Sequence, residues 1–299
     1  MKRSTKIWMI VAGAMIVCGI LMTTIAFAAV GFDAKKLGTI EFEDNTYEAD
    51  SFFDKIDIST DADIELVYDD TSAATVVCHE MAKVRHIVEV DDATLRITTK
   101  DERKWYDHFN FSYDSAKITV HLPGRQYQSI AVTCSTGNVG IPDDFTFSEA
   151  VIRVSTGDVD MSASVRKELS IQTSTGDIRI ADVEAGRIGL TASTGNITMD
   201  RVSCDSLDIS SDTGNVTLTD VIANGKYEIT TDTGNVIFNG CDADTLTVTT
   251  DTGNISGTLL SDKIFIARTD TGDIDVPELT SGGICRLTTD TGNIKIRIK

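Results

Sequence analysis

The chain has few basic residues and very few prolines for its length. Its 299 residues include 27 Lys and Arg against 46 Asp and Glu, which gives a net charge of −19. A surface this acidic repels phosphate backbones and excludes a general nucleic-acid binder. Three prolines exclude a proline-rich disordered class, and a hydrophobic content of 41% excludes a wholly disordered chain. An ordered acidic protein is expected.

Cysteine is scarce, and its spacing fits no known framework. The six cysteines are Cys18, Cys78, Cys134, Cys204, Cys241 and Cys285. Cys18 lies in the apolar N-terminal segment, and the five others form an odd set without a C-x-x-C pair, which fits neither a disulfide scaffold nor a zinc ribbon. Cys241 and Cys285 fall on apolar positions of the repeat described below, and Cys134 lies near a turn. We therefore expect buried thiols that act as small hydrophobic side chains.

Residues 7–30 carry no charge. At a helical rise of about 1.5 Å per residue they span roughly 36 Å, enough to cross a bilayer. A cleaved signal peptide is the alternative, because Ala26-Phe27-Ala28 fits an A-x-A cleavage site. Lys2, Arg3 and Lys6 precede the span, so the positive-inside rule predicts a cytoplasmic N-terminus. Either interpretation exports the acidic remainder of the chain.

The strongest feature is a recurring Thr-Gly-(Asn/Asp)-(Val/Ile) turn. Its glycines are Gly137, Gly157, Gly176, Gly195, Gly214, Gly234, Gly253, Gly272 and Gly292. They are spaced by 19 or 20 residues, a period that predicts a solenoid. Glycine permits a positive φ, and the Ser, Asp and Asn side chains beside it can bond nearby backbone, so each motif is predicted to be a corner.

Apolar residues alternate on both sides of each corner. Two residues after the glycine stand Val139, Val159, Ile178, Ile197, Val216, Val236, Ile255, Ile274 and Ile294. Five residues before it stand Val132, Ile152, Ile171, Leu190, Ile209, Ile229, Val248, Ala267 and Leu287. Each coil therefore contains at least two strands with one inward face, and no 3.6-residue apolar stripe indicates helices between them.

These patterns predict an all-β fold, a single-stranded β-helix (β-solenoid) of about nine 19–20-residue coils, on the order of 40 Å long. The predicted divisions are a cytoplasmic tail (1–6), a transmembrane anchor (7–30), a linker (31–50), an irregular β-rich part (51–127) and the regular solenoid (128–299). The last run, Ile294–Lys299, alternates aliphatic with basic residues. We expect it to be an end cap that opposes edge pairing, with a membrane-binding tail as the alternative.

The N-terminal apolar span, the strand and Leu-Pro step in residues 118–123 (Ile-Thr-Val-His-Leu-Pro) and the S-T-G-D/N and D-T-G-N turns are similar to a known family. Over roughly residues 50–299 the chain resembles the bacterial putative-adhesin β-strand-repeat family. The resemblance implies a single-pass protein of the cell envelope, in a family that offers no established catalytic residues to transfer.

Asp-Thr-Gly occurs at Asp212, Asp232, Asp251, Asp270 and Asp290, and it is also the short signature of aspartic proteases. A protease needs two such carboxylates facing each other in a cleft, whereas these recur once per coil. We interpret them as a solvated row of turn acids, with calcium binding as the alternative. The chain lacks the G-G-x-G-x-D repeat of calcium-binding β-rolls.

The histidines His79, His86, His108 and His121 have spacings that match no zinc template, so ordinary strand or surface histidines are expected. The aromatic stretch from Trp105 to Tyr113 is a candidate contact loop, with structural packing as the alternative. No catalytic, cofactor-binding or metal-binding residue and no cofactor is predicted.

The function predicted from these features is a non-enzymatic, membrane-tethered β-solenoid of the cell envelope that serves in adhesion, as a scaffold or in envelope sensing. Its predicted partners are the cytoplasmic membrane, through the N-terminal helix, and an unknown envelope protein or glycan. The chain is expected to be single-pass, with its C-terminal domain outside the cytoplasm. A carbohydrate-active β-helix enzyme of the cell surface is the alternative, and converging carboxylates in a groove would support it.

Overall fold

A computed structural model describes residues 3–29, 31, 41–71, 73–104 and 115–299 of the chain. One helix, α1 (Arg3–Ala29), begins the chain. Its apolar side chains are exposed, with Trp8 71% and Ile20 62% accessible. The 22 residues from Trp8 to Ala29 are long and apolar enough to cross a membrane.

Within the described residues, 22 strands join one continuous sheet system. The strands before the first Thr-Gly turn are β1 (Phe42–Ala49), β2 (Lys55–Thr60), β3 (Asp63–Asp69), β4 (Ala74–Met81), β5 (Val84–Asp91), β6 (Thr94–Asp101) and β7 (Lys117–Pro123). The others are β8 (Gln126–Thr136), β9 (Val139–Ile141), β10 (Thr146–Thr156), β11 (Val159–Met161), β12 (Ser164–Thr175), β13 (Ile178–Ala181), β14 (Glu184–Thr194), β15 (Ile197–Thr213), β16 (Val216–Thr233), β17 (Val236–Thr252), β18 (Ile255–Leu259), β19 (Lys263–Thr271), β20 (Ile274–Asp275), β21 (Gly283–Thr291) and β22 (Ile294–Ile298).

Strands at equivalent places in neighbouring coils pair in parallel. Ile229 of β16 lies beside Ile209 of β15 and Val248 of β17, the positions that the 19–20-residue period aligns. The strands that leave the corners pair in the same way, as Val216 does with Ile197. The prediction of an all-β solenoid preceded by one apolar helix is confirmed.

The inward rows of aliphatic residues form the core. At the position two residues after the turn glycine, every side chain except Ile274 is at most 1% exposed. Full burial of one such side chain stabilises the fold by about 1.5–3 kcal/mol. A single coil would leave its inward aliphatic side chains in contact with water. Each strand is therefore stabilised by the coils stacked on it.

The corner requires glycine. Gly214 has a φ of 148°, in the region that side chains of L-residues rarely adopt. A Cβ at this position would also overlap the carbonyl oxygen of Gly195 in the neighbouring coil. Backbone conformation and close stacking therefore both select the residue that marks the repeat.

The parallel ladder extends into the chain before the first Thr-Gly turn. β2 pairs with β8 on one side and β6 on the other, and β3 pairs with β9 and β7. Ala62 takes the place of the corner glycine between β2 and β3. β5 runs antiparallel to β6, β4 antiparallel to β7, and β1 antiparallel to β4. β5 and β4 thus lie on the outer side of β6 and β7, and β1 extends the sheet beyond β4.

At the C-terminal end, the order of the coils in space differs from their order in the chain. β21 lies between β17 and β19, and β22 lies between β18 and β20. The predicted end cap at Ile294–Lys299 is therefore wrong, because β22 is an interior layer with a neighbour on each side. The outermost coil is β19–β20, where Ile266 and Ile274 are 47% and 46% exposed.

A buried ion pair bridges the inserted coil. Lys263 of β19 is only 3% exposed, and its Nζ donates to Asp242 Oδ1 of β17 at 2.6 Å. The side chain passes Gly283 of β21, where a Cβ would lie 3.6 Å from the Lys263 Cδ and would overlap the Asp244 carbonyl. The pair joins the seventh and the last Thr-Gly coils in space across the layer between them.

Candidate functional site

The residue after each turn glycine forms a hydrogen-bonded ladder along the whole solenoid. In each coil an Asn or Asp Oδ1 accepts the backbone N–H of the equivalent residue in the next coil. Nine such bonds of 2.7–3.1 Å run from Asp63 to Asp273 through Asn138, Asp158, Asp177, Asn196, Asn215, Asn235, Asn254 and Asn293. The ladder satisfies corner N–H groups that the turns leave without a sheet partner.

Two neighbouring positions in the first part of this ladder are carboxylates, Asp158 and Asp177, and the basic side chain of Arg179 lies beside both. The backbone N–H of Asp177, followed by the side chain of Arg179, holds the pKa of the Asp158 carboxyl below its usual value. Arg179 contacts Asp158 at 3.0 Å and Asp177 at 2.7 Å. Asn replaces Asp in the four coils from Asn196 to Asn254, and each link between them adds an Nδ2–H donor.

The Asp-Thr-Gly acids lie two residues before the glycine and do not belong to this ladder. Asp212, Asp232, Asp251, Asp270 and Asp290 are all exposed. Asp270 accepts a hydrogen bond from Arg268 at 3.0 Å. The five acids occupy successive coils in the order 212, 232, 251, 290 and 270, because the last two coils exchange places.

A surface groove crosses the β3, β9 and β11 strands. Its lining includes Tyr68, Pro142 and the carboxylates of Glu65, Asp144 and Asp160. The ring of Tyr68 is 44% exposed and lies against the backbone at Gly124, where a Cβ would overlap it. An exposed aromatic ring beside several carboxylates is a combination that can stack on a sugar ring and accept bonds from its hydroxyls.

A second candidate site is buried in the antiparallel strands at the N-terminal end. The Sγ of Cys78, a carboxylate oxygen of Glu80 and a ring nitrogen of His86 all lie within 4.8 Å of one another. Cys78 and Glu80 project from the same face of β4 because they are two residues apart, and the turn at residues 82–83 brings His86 of β5 onto that face. Glu80 and Cys78 are 0% exposed and His86 is 4% exposed.

Hydrogen bonds connect this cluster to three other strands. His86 Nδ1 lies 2.7 Å from Glu80 Oε2, and its Nε2 lies 2.8 Å from the Thr60 hydroxyl. The backbone N–H of His86 also donates to Glu80 Oε2, at 2.6 Å, while Asn45 Nδ2 donates to Oε1 at 2.7 Å. Thr99 adds a hydroxyl that donates to Thr60 Oγ1 at 3.2 Å.

The five cysteines after the helix are buried and none is paired, so the expectation of small hydrophobic thiols is confirmed for Cys134, Cys241 and Cys285. Burial and then the charge of Glu80 raise the pKa of the Cys78 thiol to about 12. Burial does the same for Cys285, to about 12. Only Cys78 belongs to the cluster with a histidine and a carboxylate.

Reasoning from sequence missed this cluster. The prediction compared histidine spacings alone, while the structure joins a single histidine to residues of a neighbouring antiparallel strand. The sequence signal was the alternation Cys78-x-Glu80 followed, after a two-residue turn, by His86. His79 has a different environment: it lies 2.7 Å from Asp44 and stacks on Phe42. The predicted contact loop, Trp105 to Tyr113, and His108 lie outside the described residues.

Three comparisons place this architecture among known proteins. The model of the family Toastrack DUF4097 matches residues 53–236 and 184–299. The crystal structure named "Putative lipid binding protein" from Parabacteroides distasonis is 17% identical with a TM-score of 0.55, covering 87% of this chain and 98% of that one. A "putative adhesin" from the same species is 15% identical with a TM-score of 0.53, covering 86% and 98%. No curated protein sequence matches at a significant level. At these identities the two structures show a shared fold.

Proposed function

We propose that this chain, which belongs to the Toastrack DUF4097 family, is a membrane-tethered β-solenoid that displays a rigid surface outside the cytoplasmic membrane. The resemblance noted from the Thr-Gly turns agrees with that family. The proposed role is adhesion, scaffolding or envelope sensing without catalysis. The observation that carries it is the stack itself, in which the same corner and strand chemistry recurs through the Thr-Gly coils.

Membrane attachment follows from helix α1. The side chains of its apolar stretch from Trp8 to Ala29 are not buried against the described part of the chain, and water is an unfavourable environment for such a surface. Lys2, Arg3 and Lys6 precede the apolar span, so the N-terminus is proposed to be cytoplasmic. The acidic domain then lies on the outer side, in agreement with a predicted single-pass protein.

The Tyr68 groove is the proposed contact surface for a glycan. It is concave and combines the Tyr68 ring with Glu65, Asp144 and Asp160. A rigid sheet holds these groups in place, which lowers the entropy lost when a partner binds. The neighbouring structures named for an adhesin and for lipid binding are compatible with a surface-exposed binding role.

Crosslinking in intact cells tests the display function. A photoreactive residue at position 68 of the full-length chain is expected to capture an envelope protein or glycan. A matched probe at Phe52, which is also an exposed aromatic at 70%, controls for exposure alone. Equal capture at both positions, or no capture at either, would contradict the assignment of the groove.

The alternative function, a carbohydrate-active enzyme, can be tested at the same groove because three carboxylates line it. A carbohydrate-active enzyme would need two of these acids as a catalytic pair. The full-length protein in detergent is therefore incubated with wall polysaccharides and peptides. We expect binding without turnover. Product formation that disappears in Asp144→Asn or Asp160→Asn would establish the enzyme instead.

A further inference from the structure

We propose that Cys78, Glu80 and His86 form a zinc-binding site in the antiparallel strands at the N-terminal end of the solenoid. The proposal is independent of the display function. It begins with donor type: a thiol, a carboxylate and an imidazole are the three side chains that supply most protein ligands to zinc. Their donor atoms lie within 4.8 Å of one another.

The geometry needs only a small rearrangement of the three side chains. Zinc binds sulfur at about 2.3 Å and nitrogen or oxygen at about 2.0–2.2 Å, so tetrahedral ligands are roughly 3.3–3.6 Å apart. His86 Nδ1 and Glu80 Oε2 are already closer than this, at 2.7 Å. A metal between them would replace the shared proton and separate the two atoms slightly. Three protein ligands leave a fourth position for water.

The groups around the three ligands already have the orientation that a metal site needs. A zinc-bound histidine usually donates its second ring N–H to a neighbour, and Thr60 Oγ1 lies 2.8 Å from His86 Nε2. A ligating carboxylate is usually hydrogen-bonded as well. Glu80 receives Asn45 Nδ2 at its Oε1 atom and the His86 backbone N–H at its Oε2 atom.

Charge balance is compatible with the site. Glu80 is a 0% exposed acid, and a buried carboxyl group is paired with a cation, bound to a metal or neutral. On zinc binding the Cys78 thiol releases one proton to solvent and becomes a thiolate, and the proton shared by His86 Nδ1 and Glu80 Oε2 also leaves to solvent. The neutral His86 ring keeps its single proton on Nε2, where it donates to Thr60, and directs the Nδ1 lone pair to the metal. Zn²⁺, one thiolate and one carboxylate then sum to zero.

The competing arrangement is a metal-free pair in which protonated His86 donates to Glu80 and Cys78 is only a core residue. The two differ in what Cys78 does, because a hydrogen-bonded His–Glu pair does not need sulfur. The two arrangements also differ in composition, since only the zinc site retains metal. Both differences are measurable on the folded protein.

The test uses the full-length chain in detergent, carrying a purification tag without histidine and expressed with added zinc. After desalting, elemental analysis is expected to find about one zinc per chain. Replacing zinc with Co²⁺ is expected to produce the visible absorption of a cobalt–thiolate bond. A folded wild-type protein with no retained zinc after refolding in its presence would overturn the proposal without any variant.

Matched variants locate the ligand. Cys78→Ser is expected to lose at least tenfold in zinc affinity and to lose the cobalt–thiolate absorption. Cys204→Ser removes another buried thiol, 3% exposed and in the core of the solenoid, and is expected to keep both signals. Equal retention by the two variants would show adventitious surface binding and refute the site. If Cys78→Ser fails to fold, His86→Gln supplies the same comparison.

Discussion

Stability of the solenoid is expected to depend on the inward rows rather than on the turn acids, and Ile229→Ala against Asp232→Asn tests this. Ile229 is 0% exposed and is packed between Ile209 and Val248 of the adjoining coils. Removing its outer carbons leaves a cavity that the two neighbouring coils can fill only partly. The expected cost is about 2–5 kcal/mol.

Asp232 is exposed and lies three residues further along the same strand. Asp232→Asn keeps its shape and removes one charge, so a change within about 0.5 kcal/mol is expected. For a domain of this size, each kcal/mol shifts the melting temperature by about 2–4 °C. Ile229→Ala should therefore melt at least about 4 °C lower than wild type, while Asp232→Asn stays within about 2 °C.

The measurement is thermal and urea unfolding of residues 41–299, followed by circular dichroism. Stacked coils can unfold in parts, so the urea slope is compared as well as the midpoint. A larger loss from Asp232→Asn than from Ile229→Ala would refute the reasoning. It would show that the turn acids hold an ion or an essential hydrogen bond.

Three further outcomes are expected. Asn235→Ala removes the acceptor for the exposed Asn254 N–H and should cost about 0.5–1.5 kcal/mol in urea unfolding; an unchanged midpoint would show that the ladder is dispensable. Lys263→Met leaves the partly exposed Asp242 without its cation and should cost about 1.5–3 kcal/mol, with much of the loss restored in the double variant Lys263→Met/Asp242→Asn; equal loss in both would contradict a direct pair. External protease on wall-stripped cells should remove a C-terminal tag, whereas protection of the tag, or a soluble product that begins near Ala29, would contradict the anchored topology.

The repeat could be predicted from sequence because its signal is local and redundant. Period-2 alternation places Val216 and Val236 on the inward face, and the Thr-Gly spacing aligns them in register. At all nine Thr-Gly turns a Cβ on the glycine would overlap a carbonyl oxygen of the neighbouring coil, and seven of the nine glycines also have a positive φ. Each turn therefore carries the same steric requirement, and several copies make the pattern unambiguous.

The Asn ladder was only partly predictable. The sequence showed Asn or Asp after each glycine, and the prediction assigned them to local turn bonds. The structure connects them from coil to coil, since stacking brings Asn235 Oδ1 within 2.9 Å of the Asn254 N–H. A contact between residues one period apart follows from stacking and not from the turn itself.

The buried cluster required information that the period does not contain. Glu80, His86 and Thr60 come from three strands whose pairing is set by the antiparallel strands and the first coils. No repeat relates these strands to one another, and the alternation of each strand shows only that one face is inward. The polar residues on that face were the departure from the apolar pattern that indicates a special role.

The order of the last two coils has a consequence for folding. Every coil has the same parallel strand edges. The Thr-Gly period therefore determines the conformation of a coil but does not determine which coil stacks on it. The Lys263–Asp242 pair, which spans the layer at Gly283, is one specific contact of the observed order. β21 and β22 follow β19 and β20 in the sequence yet lie between that coil and β17–β18. Among the described residues, the β19–β20 coil therefore pairs in parallel only with strands that come later in the chain, so removing β21 and β22 would leave it without a sheet neighbour.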